Sequence, residues 1–357
     1  MEPNSLTHLL ASSHTRPCRV VQWATGTIGT RSLRAVIEHP GLDLAGVYVH
    51  SADKKGRDAG ELCGLTATGV RATDSIDEIL SLGADCVLYM PLVSDIGEVC
   101  TLLAAGLNVV TTGGGFHHPA SMDPVDCARV ETACWSGGTS LHSTGSSPGF
   151  ITEAVPLLLA SIQRRLDGIM IDEYADLSQR DSPELLFDIM GFGRAPGDID
   201  EYRLEHARTS FGPSLRLVAD ALSLPLDSVE VSGELATVRE DVPIAAGVLS
   251  AGTVGAQRTT VFGMRHGEPL LSFRATWYCS TDLVPSWNVR ATGWHIALDG
   301  DAPLDIDLRF PVPLEHMREI SPSYTANRAV NVLPFVCSAA PGIRTTLELP
   351  QIISNLG

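Results

Sequence analysis

The chain reads Gln22-Trp23-Ala24-Thr25-Gly26-Thr27-Ile28-Gly29 between an apolar predicted strand, Arg19–Ala24, and an amphipathic predicted helix, Ile28–His39. The spacing Ala24-x-Gly26-x-x-Gly29 matches the dinucleotide-binding fingerprint, with alanine in the first glycine position. The missing side chain at Gly26 lets the backbone approach a pyrophosphate, and a small residue at Gly29 lets the helix contact the strand. The helix N-terminus adds free N–H groups that bind the anion. This stretch therefore predicts a Rossmann-type turn that binds a dinucleotide.

Strands and helices alternate from this turn as far as Gly145. The predicted strands, several of them apolar at nearly every position, are Arg19–Ala24, Leu42–His50, Ala84–Met90, Leu107–Thr112 and Ser140–Gly145. The amphipathic segments between them are Ile28–His39, Ser75–Leu82, Ser94–Ala105 and Pro124–Ser136. This order is typical of a parallel sheet covered on both faces. We predict a Rossmann domain over residues 17–149, preceded by a flexible N-terminus, residues 1–16.

The pattern changes after Pro148. We predict helices over Phe150–Arg165, from Pro183 with Ser182 as N-cap, and from Pro213, and a strand over Gly168–Asp176. Period-2 stretches without long helices between them are Val229–Val238, Leu270–Cys279, Trp287–Leu298 and Leu304–Phe310. They predict a second α+β domain with a mixed or antiparallel sheet, residues 150–325, for substrate binding and dimerisation. The apolar tail, residues 326–357, is expected to return to the Rossmann domain.

Composition narrows the function classes. The chain has 357 residues, which favours two domains, and a net charge of −17, which disfavours nucleic acid and anionic membranes as partners. No apolar run is long enough to span a bilayer, and the polar start does not resemble a signal peptide. The eight cysteines form no Cys-x-x-Cys pair, so we expect reduced thiols in a cytoplasmic protein and no metal site.

The residues after the second predicted strand bear on the choice of coenzyme. An NAD enzyme usually carries Asp or Glu at the end of this strand to bind the ribose 2′-hydroxyl. Here the chain has His50 and Ser51, and then the cations Lys54, Lys55 and Arg57. Hydroxyl and cationic donors suit the 2′-phosphate of NADP, which a carboxylate would repel. We therefore expect NADP, while the nearby Asp53 leaves NAD open.

The segment Gly145-Ser146-Ser147-Pro148-Gly149 matches the nucleophile elbow of serine hydrolases. In that elbow the backbone N–H of the residue after the serine stabilises the oxyanion, and Pro148 has no N–H. The motif therefore does not indicate a hydrolase. We expect Ser147 to lie at the nicotinamide end of the coenzyme.

Several segments resemble the dihydrodipicolinate reductase-like oxidoreductases, in particular the branch with 2,4-diaminopentanoate dehydrogenase and the native amine dehydrogenases. The segments that carry the resemblance are Trp23–Gly29, Lys55–Gly64, Asn108–Thr112, Thr144–Phe150 and, in the tail, Val330–Pro334 through Ala340–Gly342. The resemblance implies a Rossmann domain, a second domain that closes over the substrate and forms a dimer, and hydride transfer between NAD(P)H and a C=N bond. It covers the coenzyme domain and the tail well and the middle poorly.

The catalytic residues of that family do not all transfer. Amine dehydrogenases of this type are thought to use a glutamate soon after the Asn-Val-Val-Thr strand, but here Gly113–Pro119 contains no carboxylate. Ser147 stands where relatives commonly have asparagine, and the Lys- and His-rich motif of true dihydrodipicolinate reductases is absent. The loop offers His117 and His118 as acids instead. In the strand 171–176, alternation puts Asp172, Tyr174 and Asp176 on one face and Glu173 on the other, and either face could replace the missing glutamate.

We therefore predict an NADP-dependent, amine dehydrogenase-like oxidoreductase that acts on a small apolar carbonyl-derived substrate as a homodimer. Two alternatives stay open: an NADPH-dependent carbonyl reductase and a catalytically silent NADP-binding protein. The predicted catalytic residues are His117, His118 and Tyr174. The predicted coenzyme-binding residues are Ala24, Thr25, Gly26, Thr27, Ile28, Gly29, Ser51, Lys54, Lys55, Arg57, Pro91, Thr112, Gly113 and Ser147.

Overall fold

The computed structural model describes residues 16–356, so the predicted flexible N-terminus lies outside the described residues except for Arg16. Strands and helices alternate through the first half of the chain. In chain order they are β1 Cys18–Trp23, α1 Thr27–Glu38, β2 Leu42–Tyr48, α2 Ala59–Leu62, β3 Ala72–Thr73, α3 Ile76–Ser81, β4 Cys86–Tyr89, α4 Ile96–Ala104, β5 Asn108–Thr111, α5 Pro124–Gly137 and β6 Ser140–Ser143.

The second half begins with a wide helical segment, Ser146–Ala154, whose first residues form a non-helical turn. It continues with α6 Val155–Ala160, β7 Leu166–Asp176, a second wide helical turn at Glu184–Ile189, α7 Glu201–Ala221, β8 Ser228–Val238, β9 Val242–Ile244, β10 Gly247–Leu249, β11 Val254–Arg265, β12 Glu268–Tyr278, β13 Leu283–Val284, β14 Gly293–Gly300 and β15 Leu304–Arg309. The chain ends with α8 Leu314–Asn331, α9 Leu333–Cys337 and β16 Gly342–Arg344.

Two large sheets organise these elements. The first has the order β16-β6-β5-β4-β1-β2-β3 and is parallel throughout. The second has the order β13-β8-β11-β12-β7-β14-β15, and only its β7–β12 pair is parallel. The predicted fold class, a Rossmann-type parallel sheet followed by an α+β unit with a mixed sheet, is confirmed.

The first sheet is buried on both faces. Val20 and Val21 on β1 point to opposite faces, and neither is accessible to solvent. One face packs on α4 and α5, and the other packs on α9 and the end of α8, where Leu333 and Val336 contact the β1 side of the core. The final strand, β16, pairs with β6 at the edge of the sheet. Within residues 16–356, no helix is long and apolar enough to cross a membrane.

Two predicted elements were wrong in extent, and one strand was missed. Helix α7 begins at Glu201, is capped by Asp200 and contains Pro213, which the sequence predicts as its start. The prediction was wrong because the first half of this helix is polar and lacks the apolar periodicity that indicates a helix. Strand β11 was missed because Val254–Arg265 lacks a regular alternation of apolar and polar residues. The predicted strand Trp287–Leu298 begins only at Gly293.

Candidate functional site

Backbone contacts shape the turn between β1 and α1. Ala24 adopts a positive φ of 68° and donates its N–H to the Tyr48 carbonyl oxygen at 2.9 Å. A Cβ built at Gly29 would lie 2.2 Å from the Ala24 carbonyl oxygen, so only glycine fits there. At Gly26, in contrast, a Cβ would meet no protein atom within 4 Å. The protein itself therefore requires Gly29 but leaves the space in front of Gly26 empty.

The N-terminus of α1 has free hydrogen-bonding capacity. Gly26 is its N-cap, no side chain caps the helix, and its first turn contains no acidic residue. The turn faces a cavity of about 720 Å³ lined on this side by Thr25, Gly26 and Thr27. Free N–H groups at a helix N-terminus beside an open cavity fit a phosphate group.

The cations after β2 have different surroundings. Lys54 donates from Nζ to the Thr25 carbonyl oxygen at 2.9 Å, which braces the glycine turn from outside. Lys55 pairs with Asp74 at 2.6 Å, whereas Arg57 is exposed and has no ion-pair partner within residues 16–356. Ser51 is exposed and donates to Asp53 at 2.7 Å. Of this group, Arg57 is the cation most available to a ligand.

Further predicted coenzyme-binding residues lie at the ends of other strands. Pro91 and Thr112 come just after β4 and β5, at the carboxyl edge of the sheet where ligands of such sheets bind, while Ile28 packs its side chain into the core beneath α1. The Gly113 carbonyl oxygen accepts a hydrogen bond from Ser143 Oγ at 2.6 Å, so the loop after β5 is tied to β6.

The loop after β5 has no room for a side chain at one position. A Cβ built at Gly114 would lie 2.8 Å from the carbonyl oxygen of Ser210 on α7. Helix α7 therefore leaves no room for a glutamate at position 114, whereas a Cβ at Gly115 would meet no described atom within 4 Å.

Strand β7 supplies a carboxyl group, that of Glu173, to a second cavity beside α7. Glu173 lines a cavity of about 470 Å³ together with Ser147 and Pro148 of the turn after β6. Its Oε2 accepts a hydrogen bond from Trp294 Nε1 at 2.9 Å. Burial raises the pKa of Glu173, and hydrogen bonds from Trp294 and neighbouring groups offset only part of this effect. The carboxyl group therefore holds its proton at higher pH than an exposed glutamate does.

The remaining wall of the Glu173 cavity is mainly apolar. It is formed by residues of α7 and of the covered face of the second sheet, including Phe211, Val261, Phe273 and Trp277. Phe211 and Phe273 stack with ring centroids 4.0 Å apart. The same lining also includes the ionisable side chains Arg203 and His206 of α7. The cavity has the volume and the largely apolar lining of a small-molecule site, with Glu173 as its carboxyl group.

Tyr174 lies on the opposite face of β7 from Glu173, as the alternation predicts. It lines a separate cavity of about 290 Å³ with Arg290 and His295. Near it, buried Asp172 forms a bidentate ion pair with Arg274, at 2.5 and 2.8 Å. The structure does not bring Tyr174 to the turn that carries Ser147.

His117 is enclosed in a polar cluster beneath the sheet edge. Its Nδ1 lies 2.5 Å from Glu153 Oε1, and Glu153 also accepts hydrogen bonds from Ser214, at 2.8 Å, and from Thr346. Burial acts to raise the pKa of Glu153, but the charge and hydrogen bond of His117, together with the hydroxyl donors, outweigh it and lower the pKa. These contacts give His117 a structural role in balancing a buried carboxylate.

His118 points the other way and is also held by partners. It contacts Ser121 Oγ through Nδ1 at 2.7 Å and Asp220 Oδ2 through Nε2 at 3.1 Å. It lines a cavity of about 1010 Å³ with Gly113 and α7. Neither histidine lines the Glu173 cavity, and neither does Tyr174, whereas Ser147 does.

Sequence reasoning named Glu173 without choosing it, because alternation alone does not show which strand face meets α7. It missed Arg180 and Arg318 entirely, although both line the cavity in front of the glycine turn. These arginines come from segments more than 150 residues away from that turn, and no local pattern in the sequence marks them.

Known proteins resemble this chain in both halves. The family model for the dihydrodipicolinate reductase N-terminus matches residues 20–123, and that for the 2,4-diaminopentanoate dehydrogenase C-terminal domain matches residues 204–356. An amine dehydrogenase from Streptomyces virginiae is 29% identical over 359 residues, which covers 94% of this chain and 98% of that protein. A 4-hydroxy-tetrahydrodipicolinate reductase from Anaeromyxobacter dehalogenans (strain 2CP-1) is 31% identical over 112 residues, 31% of this chain and 41% of that protein.

Among solved structures, an amine dehydrogenase from Mycobacterium smegmatis has the same fold. It matches with a TM-score of 0.73 and 20% identity, and covers 96% of this chain and 98% of that one. The family matches, the full-length relative and the shared fold confirm the resemblance drawn from the sequence. The chain is an NAD(P)-dependent oxidoreductase related to the dihydrodipicolinate reductases and the amine dehydrogenases.

Proposed function

We propose that the protein is an NADP-dependent amine dehydrogenase, which transfers hydride between NADPH and the C=N bond of a small apolar carbonyl-derived substrate. The observation that carries the proposal is the position of Glu173, a carboxyl group with a raised pKa in an apolar cavity beside Ser147. The full-length similarity to an amine dehydrogenase supports the reaction class.

The residues in place fit a nicotinamide dinucleotide. The uncapped N-terminus of α1 and the open space at Gly26 suit the diphosphate, and the turn at Ser147 suits the nicotinamide end. Arg57 suits the 2′-phosphate, which favours NADP over NAD. When bound, the coenzyme supplies or accepts the hydride, and the protein positions the reacting groups and handles the proton.

Glu173 handles the proton in this proposal. In the reductive direction, ammonia and a carbonyl compound condense to an imine with loss of water, and the protonated Glu173 donates its proton to the imine nitrogen. The resulting iminium charge then favours the ionised carboxylate. In the oxidative direction, the carboxylate accepts a proton from the water that adds to the iminium carbon. Trp294 holds the carboxyl group through its N–H, so the group keeps one orientation in both protonation states. The apolar part of the wall, which includes Phe211 and Phe273, limits water beside the carboxyl group and favours an apolar substrate.

The raised pKa of Glu173 also favours a second candidate function. A neutral carboxylic acid in this cavity could donate its proton to a carbonyl oxygen, as a carbonyl reductase requires. The two functions differ in their need for ammonia.

The test uses the purified full-length chain with NADPH and a panel of aliphatic and aromatic ketones and aldehydes, with and without ammonia. We expect NADPH consumption that depends on ammonia and yields a primary amine, identified by mass spectrometry. Glu173→Gln, which keeps the oxygen acceptor for Trp294, is expected to lower kcat by about 10²- to 10⁴-fold. Exposed Asp305→Asn is the control and should keep wild-type activity.

The alternatives predict other results. Consumption without ammonia, with an alcohol as product, would assign the protein as a carbonyl reductase. Coenzyme binding without turnover on any carbonyl compound would assign it as a silent NADP-binding protein. We also propose that the protein acts in the cytoplasm as a homodimer. Light scattering during size-exclusion chromatography tests the dimer through its molar mass.

A further inference from the structure

The cavity in front of the glycine turn has a second wall that the sequence did not reveal. Opposite Gly26 and Thr27 it is lined by Arg180, from the turn after β7, and by Arg318, from α8, while Arg31 of α1 lies on the near side. Three guanidinium groups thus line one cavity in a chain whose net charge is −17.

These arginines are not balanced by the protein. Within residues 16–356, none of the three forms an ion pair, and Glu319, the carboxylate that lines the same cavity, forms none either. Arg318 donates only to the Asp181 carbonyl oxygen, at 3.3 Å. Arg180 Nε is buried and has no hydrogen-bond partner among the residues that the structure describes. Burial lowers the pKa of Arg180, and the nearby charge of Arg318 lowers it further. Two cations that repel each other at the edge of a cavity favour an anionic ligand.

The backbone holds Arg180 in place. Its N–H donates to the Leu177 carbonyl oxygen at 2.9 Å, and its own carbonyl oxygen accepts from the Ser182 N–H at 3.1 Å. Ser182 also lines the cavity and adds a neutral hydroxyl. The Arg180 side chain therefore projects from a hydrogen-bonded turn.

We propose that Arg180 and Arg318 bind the diphosphate of the dinucleotide from the side opposite the glycine turn. This inference rests on the proposed function, since it gives that coenzyme two further ligands. The N–H groups of α1 contact the diphosphate on one side, and the guanidinium groups complete its coordination on the other. Because the arginines come from the second half of the chain and from the returning helix α8, the bound diphosphate would link these segments to the Rossmann sheet.

The test measures the Kd of NADPH and of NADH by calorimetry for wild type, Arg180→Met and Arg318→Met. Each variant is expected to bind both coenzymes about ten- to a hundredfold more weakly, because the diphosphate is common to both. Inorganic pyrophosphate should compete with NADH in the wild type and less well in the variants. Arg194→Met is the matched control, since Arg194 also donates to a backbone carbonyl, that of Asp188, but lies outside the cavity. It should bind both coenzymes like wild type.

Three outcomes would overturn the inference or its basis. Unchanged affinity for both coenzymes in both variants would refute the assignment while leaving the proposed function intact. A loss confined to NADPH would mean that the arginines serve the 2′-phosphate, which also refutes it. Failure of the wild type to bind either coenzyme would refute the proposed function itself. If Arg180→Met unfolds, exposed Arg318→Met and the conservative Arg180→Lys provide the same comparison, with melting curves as the check on folding.

Discussion

The two glycines of the β1–α1 turn should respond in opposite ways to substitution. At Gly26 the φ of −72° is open to any residue, and a Cβ would meet no protein atom within 4 Å. Gly26→Val should therefore cost at most about 1 kcal/mol of folding stability, mainly through the poorer helix cap, and lower Tm by only a few degrees. At Gly29 a Cβ would lie 2.2 Å from a backbone carbonyl oxygen, so Gly29→Ala should cost about 1–3 kcal/mol or more.

Coenzyme binding separates the two effects further. If the diphosphate occupies the space in front of Gly26, a valine side chain there prevents at least two charge-assisted hydrogen bonds from the helix N-terminus. At about 1.5–3 kcal/mol each, their loss weakens NADPH by roughly 10²- to 10⁴-fold. Gly29→Ala should lose both binding and stability.

The assay pairs calorimetric titration with NADPH and thermal unfolding of the same samples. Gly197→Val is the control, because Gly197 is exposed and a Cβ there also meets no atom within 4 Å. It should change neither quantity appreciably. Wild-type affinity in a folded Gly26→Val protein would refute the assignment of this turn to the diphosphate.

Three further variants test other parts of the site. The raised pKa of Glu173 favours folding only while the carboxyl group is protonated, so wild-type stability falls as pH rises above the ordinary pKa of 4.5 toward the raised value. The Tm of Glu173→Gln should therefore rise relative to that of wild type as the pH increases over this range, whereas a difference independent of pH would contradict the raised pKa. Arg57→Met should weaken NADPH about tenfold more than NADH in parallel titrations, whereas equal losses would place the 2′-phosphate elsewhere. His117→Ala should leave Glu153 charged and unpaired and cost about 3–5 kcal/mol in denaturant unfolding, whereas wild-type stability would rule out the structural role.

The first sheet could be predicted because its strands are short and apolar on both faces. Ala84–Met90, for example, was predicted as a strand and contains β4, Cys86–Tyr89. The predicted strand extends beyond the observed one by two residues at its start and one at its end. The second half of the chain was harder to predict. Pro213 is locally a strong signal for a helix start, yet α7 is capped at Asp200 and continues through the proline.

The residues of the candidate site likewise fall into those that the sequence could predict and those that it could not. The glycine turn is local in sequence, and its spacing alone predicts its geometry. Glu173, Arg180 and the Glu153 partner of His117 depend on which elements pack together, and such contacts leave no signal in a single sequence. Adjacent histidines looked equivalent as acids, but the structure places one against Glu153 and the other against Asp220.

The crowding at Gly114 after β5 and the presence of Glu173 in the cavity both follow from the position of α7. Helix α7 approaches the loop so closely that the Ser210 carbonyl oxygen occupies the space of a side chain at Gly114. The next residue on α7, Phe211, stacks on Phe273 of β12 and so fixes which face of the second sheet lines the cavity. Since β12 and β7 pair in register, with Ala275 opposite Glu173, the same packing turns Glu173 toward the cavity. A carboxyl group on a central strand, which is hydrogen-bonded on both edges, is also held more rigidly than one in a loop, and this suits the proton transfer proposed for Glu173.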